Sequence, residues 1–198
     1  MCFVLQIQLL YINKDELNIS LKDAEATVNQ IKGKYKDELS IGMEKELGIA
    51  RKLYFENVWN INARNFIEPQ VNLRDSIEEI RKYYRCVLVS DAPNIWIKNV
   101  LNELNILDIF DGSIFSGEGH VRKSLLNAFD TIIENLGYTP KNCISIGDQE
   151  NSDILPARQL GMTTIIIDNG NESLADYKIT SVIQLPSLLR NIDPEIFD

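Results

Sequence analysis

The sequence of 198 residues holds one histidine and three cysteines. A single imidazole, His120, excludes a zinc site built on several histidines, and it is the one residue a Ser-His-Asp triad could use. Cys2, Cys86 and Cys143 are odd in number and widely spaced, and Cys86 and Cys143 sit in or beside apolar runs. They read as reduced packing thiols, which points to the cytoplasm. Residues 1–13, MCFVLQIQLLYIN, carry no side-chain charge. That run is too short to cross a bilayer, and it lacks the basic flank and small-residue cleavage site of a secretory signal. A buried N-terminal strand is the plainer expectation. Basic residues number 20 against 29 acidic ones, for a net charge of −9. This balance argues against nonspecific nucleic-acid binding and against adhesion to anionic membranes, while leaving room for a local phosphate pocket.

What is present suits an ordinary globule. Charged residues make up 25% and apolar residues 44%, so the chain can bury a full core as one domain, or as one domain with a small insertion. Two textures divide it. Residues 14–72 are polar and helix-like. There Ala24, Val28, Ile31, Tyr35 and Leu39 make one helical stripe, and Met43, Leu47, Ala50 and Tyr54 a second, with Gly33 and Gly42 as interruptions. Trp59 and Phe66 are expected to pack this segment onto the main body.

From Leu73 amphipathic helices alternate with short apolar strands. Strands are expected at RCVLVS (85–90), SIFSG (113–117), CISIG (143–147) and TTIIID (163–168), with VIQL (182–185) as a last edge strand. Helices are expected from Leu73, around Ile95–Leu104, from Leu125 with Ser124 as cap and Gly137 as stop, and over 151–160. This alternation predicts an α/β, three-layer, doubly wound parallel sheet. The strands are near-continuous apolar runs, as expected when both faces are covered.

Ligands in such sheets bind beyond the carboxyl ends of the strands. At those ends stand Ser90 with Asp91, Lys123 after the loop GEGHVRK, and Gly147-Asp148 leading to Asp153. A hydroxyl, a lysine and two acids on one sheet edge suit a phosphate and a divalent cation. Ser90 can donate to a phosphate oxygen, helped by backbone N–H groups of the following helix start. Lys123 can neutralise charge on the same group. Asp148 and Asp153 offer hard oxygen ligands for Mg²⁺. Singly, each has a plainer role: a strand-end hydroxyl, a solvated lysine, a helix N-cap at Asp148 and a first-turn acid at Asp153.

The stretch from Val87 to Asp168 resembles the haloacid dehalogenase-like (HAD) superfamily. VLVSDAP resembles its second motif, a hydrophobic strand ending in Ser or Thr, here Ser90. FDGSIFSGEGHVRKS resembles the approach to its third motif, whose essential lysine would be Lys123. ISIGDQENSDILPARQLGMTTIII resembles its fourth, GDxxxxD, followed by a turn carrying Ala157, Gly161 and Met162. LADYKITSVIQLPSLL resembles the family's tail. The resemblance implies an α/β core of residues 1–13 and 73–198 and a helical cap of 14–72 inserted after the first strand. It implies Mg²⁺ as cofactor and a phosphorylated small molecule or inorganic phosphate as partner.

The family's first motif is a strand ending in D-x-D, whose first Asp attacks phosphorus and whose second acts as acid and base. Aligned by distance from the N-terminus, those positions fall on Gln6 and Gln8, with Leu10 in place of the usual Thr. A second register uses Asn13 and Asp15, at the expense of burying two amides inside a central strand. Neither puts a carboxylate on the nucleophile position. A Gln amide is neutral, a very poor nucleophile, and exchanges no proton near neutral pH. The expectation is therefore a phosphatase scaffold with impaired chemistry and a binding or regulatory role. The alternative is an active Mg²⁺-dependent phosphomonoesterase using another nucleophile, with Asp91 or His120 as candidate substitutes. A dehalogenase would need the same missing Asp. A receiver domain, which also uses strand-end acids and a lysine, is shorter and lacks the helical insertion.

Overall fold

The computed structural model describes residues 20–36, 38–110, 112–118, 128–167, 170 and 172–197. The described residues divide into two compact units. One runs up to Ile67 and includes Ile95–Val100; the other comprises Glu68–Asn94 and the residues from Leu101 onward.

The first unit is built on three helices, α1 (Leu21–Tyr35), α2 (Leu39–Leu47) and α3 (Arg51–Val58). Ser20 caps α1 by accepting from Asp23 N. Val28, Ile31, Met43, Ile49, Tyr54 and Val58 form its buried core, with Trp59 packed against them. The long stripe expected to reach Leu39 breaks earlier, because α1 ends at Tyr35 and Lys36 turns with φ of 49°. The second stripe breaks at Gly48, in the left-handed conformation. Gly33 and Gly42 interrupt nothing. A Cβ on Gly42 would lie 2.5 Å from Ile31 Cγ2 and 2.7 Å from Tyr35 Cδ2, so that glycine lets α2 approach α1. Phe66 stacks edge-on to Trp96 within this unit, with ring centroids 5.8 Å apart. Trp59 thus serves the helical unit's own core.

The second unit is α/β. After α4 (Leu73–Arg81) come β1 (Leu88–Val89), α5 (Asn94–Glu103), β2 (Ile114–Phe115), α6 (Ala128–Leu136) and β3 (Ile144–Gly147). Then follow α7 (Leu155–Leu160), β4 (Thr163–Ile167), β5 (Tyr177–Ile179), α8 (Leu185–Ile192) and α9 (Pro194–Phe197). Every strand pairing among the described residues is parallel: β1 with β2, and β3-β4-β5 in that order. Both faces of β4 are buried, Ile165 on one and Thr164 and Ile166 on the other. Ile165, wholly buried, joins Ile80 of α4 and Leu185 and Leu189 of α8. A second cluster joins Ile133 of α6, Ala157 of α7 and Met162, with Cys143 packed against it. An apolar strand with both faces covered is what a doubly wound sheet requires.

Two expectations need correction. The last strand is Tyr177–Ile179, and Val182–Gln184 is a 3₁₀ turn. Ser181 Oγ accepts from Ile183 N and Gln184 Oε1 accepts from Thr180 N, which closes the turn and leads into the proline-started α8. The helix expected over 151–160 opens with a π turn, Glu150–Ile154, before α7 begins at Leu155. Gly137, with φ of 74°, does end α6. Ser124 lies outside the described residues, as do Gln6, Gln8, Asn13, Asp15, His120, Lys123 and Cys2.

Candidate active site at the sheet edge

Ser90 follows β1 directly. Its N–H donates to Phe115 O at 2.9 Å, one more step of the β1–β2 ladder. Its Oγ accepts from Ala92 N at 3.2 Å, which folds the turn and leaves the hydroxyl proton to give. Asp91 is exposed in the same turn. Pro93 has no N–H, and Asn94 N donates to Glu118 Oε1 at 2.7 Å. The N–H groups of Ala92 and Asn94 are thus taken by side chains. Among the described residues no acceptor takes the Ser90 hydroxyl proton.

The other strand-end turn foreseen for the site follows β3. Asp153 is 3% exposed. Its Oδ2 accepts from Gln149 N at 3.0 Å, and its own N–H donates to Gln149 O at 2.9 Å. Ser145 Oγ donates to Asp153 O at 2.8 Å from inside β3. The carboxylate is pressed against Gly147, where a Cβ would overlap it. Asp148 is exposed, and the turn is capped at Gln149, so Asp148 is not the N-cap. One carboxylate is therefore buried and fixed, and the other is presented to solvent beside it.

Sequence reasoning passed over three acids, of which two hold these turns and the third holds the start of β4. Glu118 ties the loop after β2 to the start of α5. Glu150 accepts from Ser173 Oγ at 2.6 Å and from Leu174 N at 3.0 Å, tying the loop after β4 to the β3 turn. Asp176 accepts from Thr164 N at 2.9 Å and Thr164 Oγ1 at 2.7 Å, and pairs with Arg158. The Thr164 hydroxyl, first among these, holds the Asp176 carboxyl below its ordinary range. Glu150 lies inside the fourth motif and could have been suspected as an acid with no assigned role. The partners of Glu118 and Asp176 are 24 and 12 residues away, and no local pattern announces them. Burial pushes the Cys86 and Cys143 thiols up, which fits packing thiols and not nucleophiles.

Comparison with known proteins decides the family. A model of haloacid dehalogenase-like hydrolases matches residues 7–161, more than three quarters of the chain. The chain belongs to the HAD-like hydrolases. Rat N-acylneuraminate-9-phosphatase is 24% identical over 155 residues, covering 75% of this chain and 62% of the relative. Glyceraldehyde 3-phosphate phosphatase of Methanocaldococcus jannaschii is 29% identical over 111 residues, covering 53% and 49%. The chain thus spans about three fifths of the length of the first of these relatives. The crystal structure of an HAD phosphatase from Thermococcus onnurineus has a TM-score of 0.62 at 22% identity, over 96% of this chain and 89% of that one. A HAD-hydrolase from Bacillus subtilis, bound to magnesium, has a TM-score of 0.59 at 16% identity, over 94% and 92%. These likenesses establish an HAD-type, Rossmann-like α/β fold.

The family implies a divalent cation. Mg²⁺ is commonly held by one or two carboxylates, with waters and a substrate phosphate completing its shell. Asp148 and Asp153 would be the carboxylates of such a set, the first exposed and the second buried with one oxygen held by Gln149 N. No group of three His, Cys, Asp or Glu residues that could hold a metal occurs among the described residues. None of the described helices is long and apolar enough to cross a membrane.

Proposed function

We propose that this HAD-like chain binds a phosphorylated small molecule, or inorganic phosphate, without the covalent turnover of a phosphatase. The observation that carries the reading is the pairing of a preserved edge with a degenerate first motif. Ser90 keeps a hydroxyl proton to give after β1, and Asp148 and Asp153 follow β3, whereas the first acidic residue of the chain is Asp15. In this reading Gln6 and Gln8 occupy the nucleophile and acid/base positions. Ser90 and Lys123 hold the phosphate, Asp91 borders it, and Asp148 and Asp153 hold Mg²⁺. The ion would offset phosphate charge, and its affinity is reduced because one carboxylate ligand is an amide. Covalent attack and leaving-group protonation both lack their group.

Residues 1–13 and 73–198 form the core in this proposal, and 14–72 the cap. Three helices without a strand between Leu21 and Val58 support that division. The matched relatives are named phosphatases, which supports a phosphorylated ligand. The acidic balance of the chain favours neither nucleic acid nor membrane as partner, and its cysteine usage suits the cytoplasm.

The test is the double replacement Gln6→Asp with Gln8→Asp, assayed with Mg²⁺ on a phosphomonoester panel. The natural chain is expected to show no turnover and the double variant to gain it. Turnover by the natural chain at ordinary phosphatase rates, lost on Asp148→Asn, would favour the alternative, a phosphomonoesterase with a displaced nucleophile.

A further inference from the structure

We propose that Gly117 is a positioning residue for Ser90, acting through the one peptide plane that joins Asp91 to Ala92. The proposal rests on the reading of Ser90 as a phosphate ligand.

The exits of β1 and β2 run against each other. Val89 pairs with Phe115, Ser90 N donates to Phe115 O at 2.9 Å, and Gly117 N donates to Ala92 O at 3.0 Å. Between those bonds Gly117 lies against the Asp91 carbonyl. A Cβ on residue 117 would overlap the carbonyl oxygen, and it would lie 2.6 Å from the carbonyl carbon and 3.1 Å from Asp91 Cα. Gly117 does not adopt a positive φ, so what the position demands is space. At Gly42 and Gly147 the atoms that a Cβ would meet belong to side chains, whereas at Gly117 all three are backbone. No rotamer change can make room there.

The obstructed oxygen and the N–H that fixes Ser90 belong to one rigid unit. A peptide bond is planar, so Asp91 O and Ala92 N–H move together. Ala92 N donates to Ser90 Oγ at 3.2 Å. A methyl group on residue 117 must displace either this plane or the loop that carries it. Displacing the loop breaks the bond from Gly117 N to Ala92 O and pulls on the charge-assisted bond from Asn94 N to Glu118 Oε1 at 2.7 Å. Displacing the plane breaks one neutral bond, to Ser90 Oγ, and leaves Ala92 O, which belongs to the next peptide, on Gly117 N. The plane is the cheaper of the two to move. The Ser90 oxygen then loses the donor that fixes it, and the hydroxyl turns freely instead of being held for a phosphate.

Titration calorimetry of the full chain with inorganic phosphate, together with hydrogen exchange at the Ala92 amide, tests this. Gly117→Ala should bind phosphate about three- to tenfold more weakly, the worth of one neutral hydrogen bond. Exchange at Ala92 should quicken about tenfold, while the distant Leu174 amide keeps its rate. In the Ser90→Ala background the same replacement should change neither affinity nor Ala92 exchange by more than about twofold, because Gly117 acts through Ser90. Unchanged affinity in Gly117→Ala, unaltered exchange at Ala92, or an equal loss in both backgrounds overturns the proposal. So does a Gly117→Ala chain that fails to fold, since the strain would then reach well beyond one peptide. A natural chain that does not bind phosphate, or a Ser90→Ala chain that binds it equally well, is a separate result: the phosphate edge itself fails, and the role of Gly117 with it.

Discussion

The carboxylate of Asp153 lies flat against the backbone of Gly147, leaving no room for a side chain at position 147. A Cβ there would overlap the carboxyl group and stand 2.5 Å from Asp153 Cβ. Gly147 does not adopt a positive φ, so its requirement is one of space and not of backbone conformation. The glycine of the GDxxxxD turn is what lets a buried acid reach back to Gln149 N and close the turn.

Gly147→Ala should therefore force Asp153 from its place. The expected cost is about 1–3 kcal/mol, the usual range for overpacking a filled site. Urea unfolding measures it. A loss below about 0.5 kcal/mol would mean that the carboxylate swings aside freely, and Asp153 would then not be held in place by the turn.

Glu150 offers a local test. It alone receives both Ser173 Oγ and Leu174 N. Glu150→Ala should speed hydrogen exchange at the Leu174 amide by an order of magnitude or more, with a stability loss of about 1 kcal/mol because the bond to Leu174 is exposed. Exchange by NMR or mass spectrometry reads this directly. Unaltered protection at Leu174 would show that Arg158, which donates to Leu174 O, holds the segment unaided.

Much of this architecture could be read from residues close in sequence. The strand cores around Leu88, Ile114, Ile144 and Thr163 announce themselves as apolar runs after turn signals, and α6 by its period. β1 and β2 prove shorter than their apolar runs, and at their ends Ser90 Oγ and Ser113 N take up turn bonds. What stayed hidden depends on residues distant in sequence. The edge strand at Tyr177–Ile179 is exposed at Tyr177 and Lys178 and lacks an apolar run, whereas VIQL has one but is claimed by Ser181 and Gln184. The places of Ser90 after β1 and Asp153 after β3 were legible from motif order. The roles of Glu118 and Asp176 were not, because they act on backbone groups brought near only by the parallel sheets.

In the helical unit, Gly42 reverses the usual sign of a glycine replacement. Alanine in a helix ordinarily gains about 1 kcal/mol over glycine. Here the new methyl would stand 2.5 Å from Ile31 Cγ2 and 2.7 Å from Tyr35 Cδ2. Gly42→Ala is expected to destabilise by about 1–2 kcal/mol net, because overpacking outweighs propensity. Gly33→Ala, with open space around it, should stabilise by up to about 1 kcal/mol. Thermal melts of the pair compare them directly, and equal shifts would mean that α1 and α2 are not in close contact.

Acid should loosen the second unit through two lowered carboxyls. Arg74 forks onto Asp108 with both guanidinium bonds at 2.8 Å, and this holds the Asp108 carboxyl down at about 2. Asp176 is lowered chiefly by the Thr164 hydroxyl. For a carboxylate lowered in the folded state, the stabilisation is complete above the unfolded value of about 4 and disappears as pH falls through the folded value. Stability is thus expected to be flat in these groups above about pH 5 and to fall between about pH 4 and pH 2. Asp108→Asn and Thr164→Val should each flatten part of that fall while lowering stability at neutral pH. The Asp108 contribution should also shrink in high salt, because its ion pair with Arg74 is open to solvent. Urea midpoints measured from pH 2 to 7 check both. An acid limb identical in the two variants and the natural chain would place the titrating groups elsewhere.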